Sequence, residues 1–574
     1  MSTAYAATPA GEAERTSTYA WVVLAMLTAI YTFNFLDRQL LANLTENIKA
    51  DTGLTDADLG KLGGIYFAAF YTVLGVIVGF LADRGNRLWI LSIGSFLWSA
   101  FTMGFGMAKG LPMMAVTRMG VGIGEAAGAP PSYSIISDYF PARKRGTALA
   151  IFSLGVPFGT ALGAGAGLML AKIDTHWTVP VIGIDIYHSW RFPFVLIGAA
   201  GVVATLIMLV IVREPKRGAK DVELDVHMEE APTTAIDKPG FMGTVWSFFS
   251  RPMTLMTALA CGFTAFVGYA ILNWTTPLLA RVKAAPVRED YFILLYAVEM
   301  AVCMGVGTWL SGVLVDWLSK RSKVWYALLP MITLIIAAPF YLAFVWAPTW
   351  QMTLIFLAVP TMLNNMYLAP ALALVQNSVK PEQRTMSGAV LLMVLNMIGL
   401  GLGPYFVGQL STNLTSADIQ SALHITAAEA GKYMTMKADD LKQLTDIAPA
   451  VAAAGKNGLQ TALYVLAPFY IIGIVFHLIE AGLIGREKAA GRAVSDNGRL
   501  LGIFLLVAGV GVAALISVTW VGGSADKMMA ALQDSASKQN LDAILQVFLG
   551  ALAAIGVLSG LLFLARSFGK KAAA

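Results

Sequence analysis

Residues 79–87 have the sequence GFLADRGNR, and residues 312–320 have the sequence GVLVDWLSK. Both stretches fit the pattern G-x-L-x-D-x-x-x-[RK], and they lie 233 residues apart. A weaker echo follows each of them, because residues 141–147 and 381–385 both begin with a proline and continue to an arginine and a threonine. The two pairs of stretches are separated by similar numbers of residues, which indicates that the chain contains two related halves.

The repeated loop predicts a latch between these halves. A glycine lets neighbouring helices approach closely, and an aspartate at a helix end pairs with a basic side chain or with the N-terminus of a facing helix. Such contacts hold two bodies together in one conformation and release them in another. The predicted latch residues are Gly79, Asp83, Arg84, Arg87, Gly312, Asp316 and Lys320. The alternative is that the loops are ordinary polar helix ends at a membrane surface.

The composition excludes most other classes of protein. Of the 574 residues, 57% are hydrophobic and 13% are charged, about half the charged share of a soluble protein. The net charge of +5 is small and requires no nucleic acid as a partner. Cys261 and Cys303 lie in apolar runs, so neither a disulfide nor a zinc site is expected. The chain has no Walker loop and no assembled catalytic or metal-binding set. We therefore predict no enzyme, no catalytic residue, no metal and no cofactor.

The apolar residues form fourteen runs of about the 20 residues that a membrane helix needs. The predicted spans are 20–43, 62–82, 88–108, 112–138, 146–171, 192–212, 252–280, 289–315, 324–346, 350–378, 385–410, 461–484, 500–520 and 542–566. They predict an all-α polytopic membrane protein. Twelve spans form two sets of six, and two further transmembrane helices follow at the C-terminus.

The spans divide the chain into segments. We predict a cytoplasmic N-terminal tail, two six-helix bundles joined by a cytoplasmic linker, a long outside loop, and a C-terminal pair of helices with a cytoplasmic tail. The bounds are 1–19 for the tail, 20–212 and 251–484 for the bundles, 213–250 for the linker, 411–460 for the loop and 485–574 for the last part. Loop 411–460 is expected to form one or two short amphipathic helices, and its role as a gate, a lipid contact or neither stays open.

Charge distribution predicts the orientation. Lysine and arginine are more frequent on the segments that face the cytoplasm when the N-terminus is placed there. Residues 1–19 lack the basic and short apolar regions of a cleaved signal, so the first run is a retained span. Both termini are therefore predicted to be cytoplasmic. The abundance of alanine and glycine favours a bacterial inner membrane.

Four motifs carry a resemblance to a known family. The loop at 79–87 is similar to the signature loop of the major facilitator superfamily, except that Asn86 stands where glycine is usual. Within that superfamily, three segments resemble the Spinster family of sphingosine-1-phosphate and lysolipid transporters. They are NFLDR at 34–38, RMGVGIGEA at 118–126 and VREPKRG at 212–218. The resemblance covers about residues 20–484. It implies two bundles that expose a central cavity to alternate sides, and it implies proton-linked export of lysolipids or sphingoid phosphates.

Charged residues inside the predicted spans mark the candidate site. Such a side chain costs about 2.5–3.5 kcal/mol at mid-membrane, so it persists where it lines a cavity or has a partner. At about 1.5 Å per residue, Asp37, Arg38 and Arg118 lie at one level in the outer half of the membrane. Glu125 lies near the midplane, and Glu299 lies at a central depth in the second bundle.

Two roles are predicted for these charges. Arg38 and Arg118 would bind an anionic headgroup, while Asp37 and Glu125 would exchange protons. A carboxyl group in an apolar place holds its proton more readily, and a nearby arginine opposes this. Movement of an arginine towards the substrate would therefore let the carboxylate take up a proton. The alternative is that Asp37 and Arg118 form a structural ion pair between the first and fourth spans.

Other polar residues are predicted to complete the site. The full substrate-binding set is Asn34, Arg38, Arg118, Glu125, Glu299, Asn364 and Tyr367. The repeat places Asn364 opposite Glu125, and the asparagine interrupts the tenth span. The asparagines can instead bond between helices, and Glu299 can be an orienting or protonated buried group, so these alternatives stay open.

The sequence therefore predicts a secondary active transporter, most simply driven by protons. Its partners would be an amphipathic organic anion, such as a lysophospholipid or sphingoid phosphate, together with protons and the lipid bilayer. One alternative is a transporter of small organic anions or sugar acids. Another is a membrane receptor or scaffold that does not transport.

Overall fold

The computed structural model describes residues 16–82, 84–173, 177–179, 184–186, 190–217, 241–379 and 384–489. Most of them are helical, and one antiparallel hairpin joins strands β1 (Trp177–Val179) and β2 (Ile184–Ile186). In the first half the helices are α1 (Thr18–Thr52), α2 (Asp56–Gly63), α3 (Ile65–Ala82), α4 (Arg87–Gly106), α5 (Leu111–Glu125), α6 (Ala129–Tyr139), α7 (Ala142–Ser153), α8 (Gly155–Leu170) and α9 (Arg191–Ile211). In the second half they are α10 (Phe241–Ser250), α11 (Pro252–Pro277), α12 (Asp290–Ser319), α13 (Trp325–Trp346), α14 (Trp350–Leu363), α15 (Leu368–Ser378), α16 (Arg384–Asn396), α17 (Gly403–Leu423), α18 (Ala427–Met434), α19 (Ala438–Lys442), α20 (Ala448–Tyr464) and α21 (Ala467–Ala489).

Eleven stretches of the described helices are long and apolar enough to cross a membrane. The predicted fourth span is divided between α5 and α6, which have 15 and 11 residues and are each too short alone. These helices confirm the all-α polytopic membrane class. The predicted spans 500–520 and 542–566 lie outside the described residues.

Two spans break at corresponding places of the repeat. Helix α5 ends at Glu125, and α14 ends at Leu363, directly before Asn364. Prolines contribute to both breaks, since α6 has a proline in its first turn and Pro360 lies within the last turn of α14. A proline lacks the backbone N–H group that continues the helix. The sequence predicted a polar interruption at Asn364 within a continuous span 350–378, so neither helix break was predicted.

Glycines allow close packing within each half. A Cβ atom on Gly124 of α5 would lie 2.5 Å from the backbone nitrogen of Trp98 in α4. A Cβ atom on Gly403 of α17 would lie 2.5 Å from the carbonyl oxygen of Phe266 in α11. Side chains at these positions would separate the helices, so the glycines set the distance between them.

Two helices continue through π-helical turns, Leu278–Val282 after α11 and Met397–Leu402 before α17. Each turn lies beside a proline, Pro277 or Pro404, where the regular pattern of backbone hydrogen bonds is interrupted. The two halves meet along a seam where α1 packs on α11, α2 on α17, α3 on α16 and α8 on α12.

The helical ends define two faces. We call the face where α1 begins the near face, and the face where α1 ends the far face. At the near face the Tyr19 hydroxyl donates to the Ile211 carbonyl at 2.7 Å, tying α1 to α9. At the far face residues 411–460 form a helical cap with an apolar cluster of its own, made by Ile419, Ala430, Val451 and Ala454.

The cap does not begin as the loop that the sequence predicted. Helix α17 continues through residues 411–423, which contain neither glycine nor proline, and it ends at His424, whose φ is 54°. Within the cap lie the short helices α18 and α19 and the beginning of α20, which continues to Tyr464.

Candidate functional site

A short ion pair joins the first and fourth spans. The Nε atom of Arg38 in α1 donates to Oε2 of Glu125 in α5 at 2.6 Å. The exposed fractions of the two side chains are 8% and 0%. Side chains of an α-helix tilt towards its N-terminus, so the long arginine reaches back along α1 to the carboxylate.

A second, looser pair lies beside it. Arg118 Nη1 is 3.7 Å from Asp37 Oδ2, and Arg118 Nε donates to the Leu62 carbonyl at 3.2 Å. Both Arg118 and Asp37 are 2% exposed. The distance of 3.7 Å allows electrostatic attraction but exceeds a hydrogen bond. Two arginines and two carboxylates thus form one buried group whose formal charges cancel.

Aromatic rings surround the Arg38 guanidinium. Its central carbon lies 4.8 Å from the ring centroid of Phe35, 4.9 Å from that of Phe67 and 4.5 Å from that of Tyr71. The Phe67 ring also lies 5.3 Å from the Arg118 guanidinium. A cation over an aromatic face gains about 0.5–1 kcal/mol, and about 2 kcal/mol when it is shielded from water. The rings therefore lower the cost of burying Arg38 and fix its position.

Several polar atoms of this group lack a hydrogen-bond partner among the described residues. They are both carboxylate oxygens of Asp37, Oε1 of Glu125 and the amide nitrogen of Asn34. Asn34 is 2% exposed and lies in α1, three residues before Asp37. Buried polar atoms are nearly always satisfied. Several buried polar atoms without a hydrogen-bond partner at one place are typical of a site that binds a ligand or a proton.

The predicted residues of the second half lie apart from these four charges. Asn364 donates to the Tyr470 hydroxyl at 3.0 Å, and its own oxygen has no partner among the described residues. Tyr367 packs against an apolar cluster of α11 and α16, while Glu299 is half-buried on α12. Tyr269 of α11 packs both against that cluster and against the first-half cluster that contains Phe67, so it lies between the two groups.

A buried pair in the second half has a structural environment. His477 Nδ1 lies 2.9 Å from Glu480 Oε2, and the Thr257 hydroxyl donates to Glu480 Oε1 at 2.7 Å. These contacts join α21 to α11.

Arg87 of the predicted latch is bound within the first half. It is 1% exposed and donates to Asp138 at 2.5 Å, to Glu214 at 2.7 Å and to the Pro215 carbonyl at 3.0 Å. These contacts fasten the start of α4 to the end of α6 and to the chain after α9. They explain why the motif at 212–218 carries a glutamate before its proline.

The other latch residues lie on the near face. No described atom lies within 4 Å of a Cβ atom built on Gly79 or Gly312. Asp316 and Lys320 are exposed, and Asp83 lies outside the described residues. Arg84 is exposed as well. The latch therefore stays a prediction.

Sequence reasoning missed a charged network at the far face. Arg281 of the second half donates to Glu46 at 2.6 Å and to Asp56 at 2.7 Å, and Lys49 donates to Asp56 at 2.7 Å. Asp56 is 2% exposed. A signal was present, because Glu46 and Arg281 carry opposite charges just beyond the first span of each half. Tyr71 was also missed, although it follows Phe67 by four residues and so shares its helix face.

The chain is similar to known proteins over most of its length. The model of the Major Facilitator Superfamily matches residues 27–404. An MFS-type efflux pump of Mycolicibacterium smegmatis is 30% identical over 402 residues, which are 69% of this chain and 85% of the relative. Protein spinster of Drosophila melanogaster is 25% identical over 502 residues, which are 82% of this chain and 77% of the relative.

A solved structure agrees with these relatives. The crystal structure of a bacterial homolog to the human lysosomal transporter Spinster, in an inward-facing and unoccupied conformation, is 30% identical with a TM-score of 0.71. The match covers 82% of this chain and 98% of that chain. The family and the relatives are transporters rather than enzymes. The chain therefore belongs to the major facilitator superfamily, as a Spinster-like integral membrane transporter.

Proposed function

We propose that this transporter couples the movement of an amphipathic organic anion to protons, with Arg38 and Glu125 at the centre of the coupling. The observation that carries the proposal is the 2.6 Å pair between them, buried and surrounded by aromatic rings. Glu125 keeps one oxygen without a hydrogen-bond partner among the described residues, so a proton has an atom to bind there.

Charge balance supplies the coupling. Asp37 and Glu125 offset Arg38 and Arg118, so the buried group is neutral without substrate. An anionic headgroup that pairs with Arg38 would displace Glu125 and leave a net negative charge in an apolar place. Proton uptake by Glu125 restores neutrality. Entry of the anion and binding of a proton therefore favour each other, and departure of either favours loss of the other.

The surroundings favour a substrate with an apolar part. Phe35 and Phe67 lie against the arginines, and Phe33 and Phe70 lie on the same two helices. We propose a lysophospholipid or sphingoid phosphate as the substrate class, with its charged head at Arg38 and Arg118. Asn34, Glu299, Asn364 and Tyr367 complete the proposed site.

The same proposal includes the location. The bacterial relatives support the inner membrane, and the charge distribution of the loops supports both termini in the cytoplasm. The near face is then cytoplasmic, and the far face is outside.

Flux in proteoliposomes tests the coupling. We would compare a single-chain phosphate lipid with gluconate as substrates at several pH values, from acidic to mildly alkaline, using parent protein, Glu125→Gln and Glu480→Gln. The parent should transport the lipid with a rate that changes with pH. Glu125→Gln should lose this pH dependence, and Glu480→Gln, a buried glutamate with a structural environment, should keep it.

Three outcomes contradict parts of the proposal. Unchanged rate and pH dependence in Glu125→Gln contradict the coupling role. Gluconate flux without lipid flux favours the transporter of small organic anions. Binding of the lipid, seen as a thermal shift, without any flux favours a receptor.

A further inference from the structure

The helical cap is carried by the second half. It continues from α17 and returns through α20, and these two helices pack along each other. Gly458 of α20 illustrates the closeness, because a Cβ atom there would lie 2.8 Å from the Ser411 carbonyl oxygen. The cap therefore moves as one body with the second half.

The cap nevertheless touches the first half at two places. At its base, the Ser411 hydroxyl donates to Asp56 at 2.7 Å, and the backbone N–H of Ala57 donates to the Thr412 hydroxyl at 2.8 Å. At its tip, the Thr435 carbonyl lies against Gly53, the residue that ends α1. These contacts cross the seam between the halves.

Gly53 suits this contact for two reasons. Its φ is 69°, a left-handed conformation that closes the helix through a hydrogen bond to the Lys49 carbonyl. It also has no side chain, and a Cβ atom at this position would overlap the Thr435 carbonyl oxygen. Beside it, Lys437 of the cap lies 4.0 Å from Asp51 of α1.

We propose that the helical cap is a strap that fastens the far face shut. Transport by alternating access requires the far ends of α1 and α2 to separate from α11 and α17. The cap contacts with Asp51, Gly53, Asp56 and Ala57 all cross that seam, so each stabilises the far-closed state and is lost in the far-open state. The cap thus adds to the Arg281 network and biases the transporter towards opening at its near face.

A thiol reporter tests the strap. Ala57 is 5% exposed at the seam, and Ala57→Cys places a thiol that a maleimide reaches when the far face opens. Labelling of purified protein in detergent is followed by mass spectrometry, site by site. Native Cys261, which is 0% exposed in the core of the second half, reports unfolding in the same sample.

Two variants remove the cap contacts in different ways. Gly53→Ala introduces the overlap with Thr435 and also places an alanine at a left-handed φ, a backbone strain that the second variant does not have. Ser411→Ala removes a donor to the buried carboxylate and leaves the backbone unchanged. Gly431→Ala in α18 is the control, since no described atom lies within 4 Å of the added Cβ.

We expect both variants to label at position 57 about tenfold faster than the parent, the population shift that about 1.4 kcal/mol produces. Gly431→Ala should label as slowly as the parent, and Cys261 should stay protected throughout. Equal labelling rates in Gly53→Ala, Ser411→Ala and the control overturn the strap. If Gly53→Ala exposes Cys261 as well, that variant has unfolded. The labelling rate of Ser411→Ala then decides: a rate above that of the control supports the strap, and a rate equal to it overturns the strap.

Discussion

Replacing Arg281 with glutamine should open the far face more strongly than any change in the cap. Arg281 makes five hydrogen bonds across the seam, at 2.6–3.3 Å, to Glu46 and Asp56. Breaking a buried ion pair costs about 3–5 kcal/mol. Asp56 keeps its bonds to Lys49 and Ser411, and the Arg281 side chain is 11% exposed, so the low end applies.

About 3 kcal/mol corresponds to a shift of about 100-fold in the ratio of far-open to far-closed protein. The shift is measured as the labelling rate of the Ala57→Cys thiol, again with Cys261 as the internal reference. Lys283→Gln is the matched control. It removes a positive charge two residues further on, but Lys283 donates to the Val345 and Ala347 carbonyls of its own half.

The role of the Arg281 network in closing the far face is refuted if Arg281→Gln labels no faster than Lys283→Gln. It is also refuted if Cys261 becomes reactive at the same rate as position 57, because the ion pair would then support the fold of the chain rather than one conformation of it.

Two further predictions concern stability within the first half. Gly122→Val should lower the melting temperature of the purified protein, because a Cβ atom there would lie 2.5 Å from the Phe67 carbonyl oxygen. Such overpacking costs about 1–3 kcal/mol. Gly75→Val should leave the melting temperature unchanged, because no described atom lies within 4 Å of a Cβ atom there. Arg87→Gln should lower the melting temperature, because it removes the ion pairs that a guanidinium only 1% exposed makes with Asp138 and Glu214, and breaking a buried pair costs about 3–5 kcal/mol. Arg213→Gln, at an exposed side chain, should change the melting temperature little. Equal melting temperatures within either pair would contradict the corresponding contact.

The outline of the fold could be predicted because lipid imposes a simple rule. A span needs about 20 apolar residues, and the repeated loop identifies the two halves. The polar residue Asn364 was visible within an apolar run, although the span 350–378 was predicted to be continuous. The break after Glu125 and the length of α1, which runs to Thr52, were not visible, because helix ends depend on tertiary packing as well as on local sequence.

The candidate site was predictable as a set of residues but less so as a set of pairs. The depth of each residue along its span predicts that Arg38 lies at the level of Arg118 and that Glu125 lies deeper, near the midplane of the membrane. In the structure Arg38 reaches Glu125, while Asp37 faces Arg118. A long side chain extends several ångströms along the helix axis, so the level of a Cα atom does not determine its partner. The network around Arg281 depends on which helices meet across the seam, which one sequence does not reveal.

The π-helical turn at Leu278–Val282 has a consequence for insertions and deletions. Such a turn holds one residue more than an α-helix of the same length, and one residue in an α-helix corresponds to a rotation of about 100°. Deleting one of the three residues before Arg281 in this turn, 278–280, would let the helix become regular and would rotate the Arg281 side chain away from both acidic neighbours. The spacing of this short stretch is therefore as constrained as its composition, and homologous chains that keep the arginine should keep the surplus residue too.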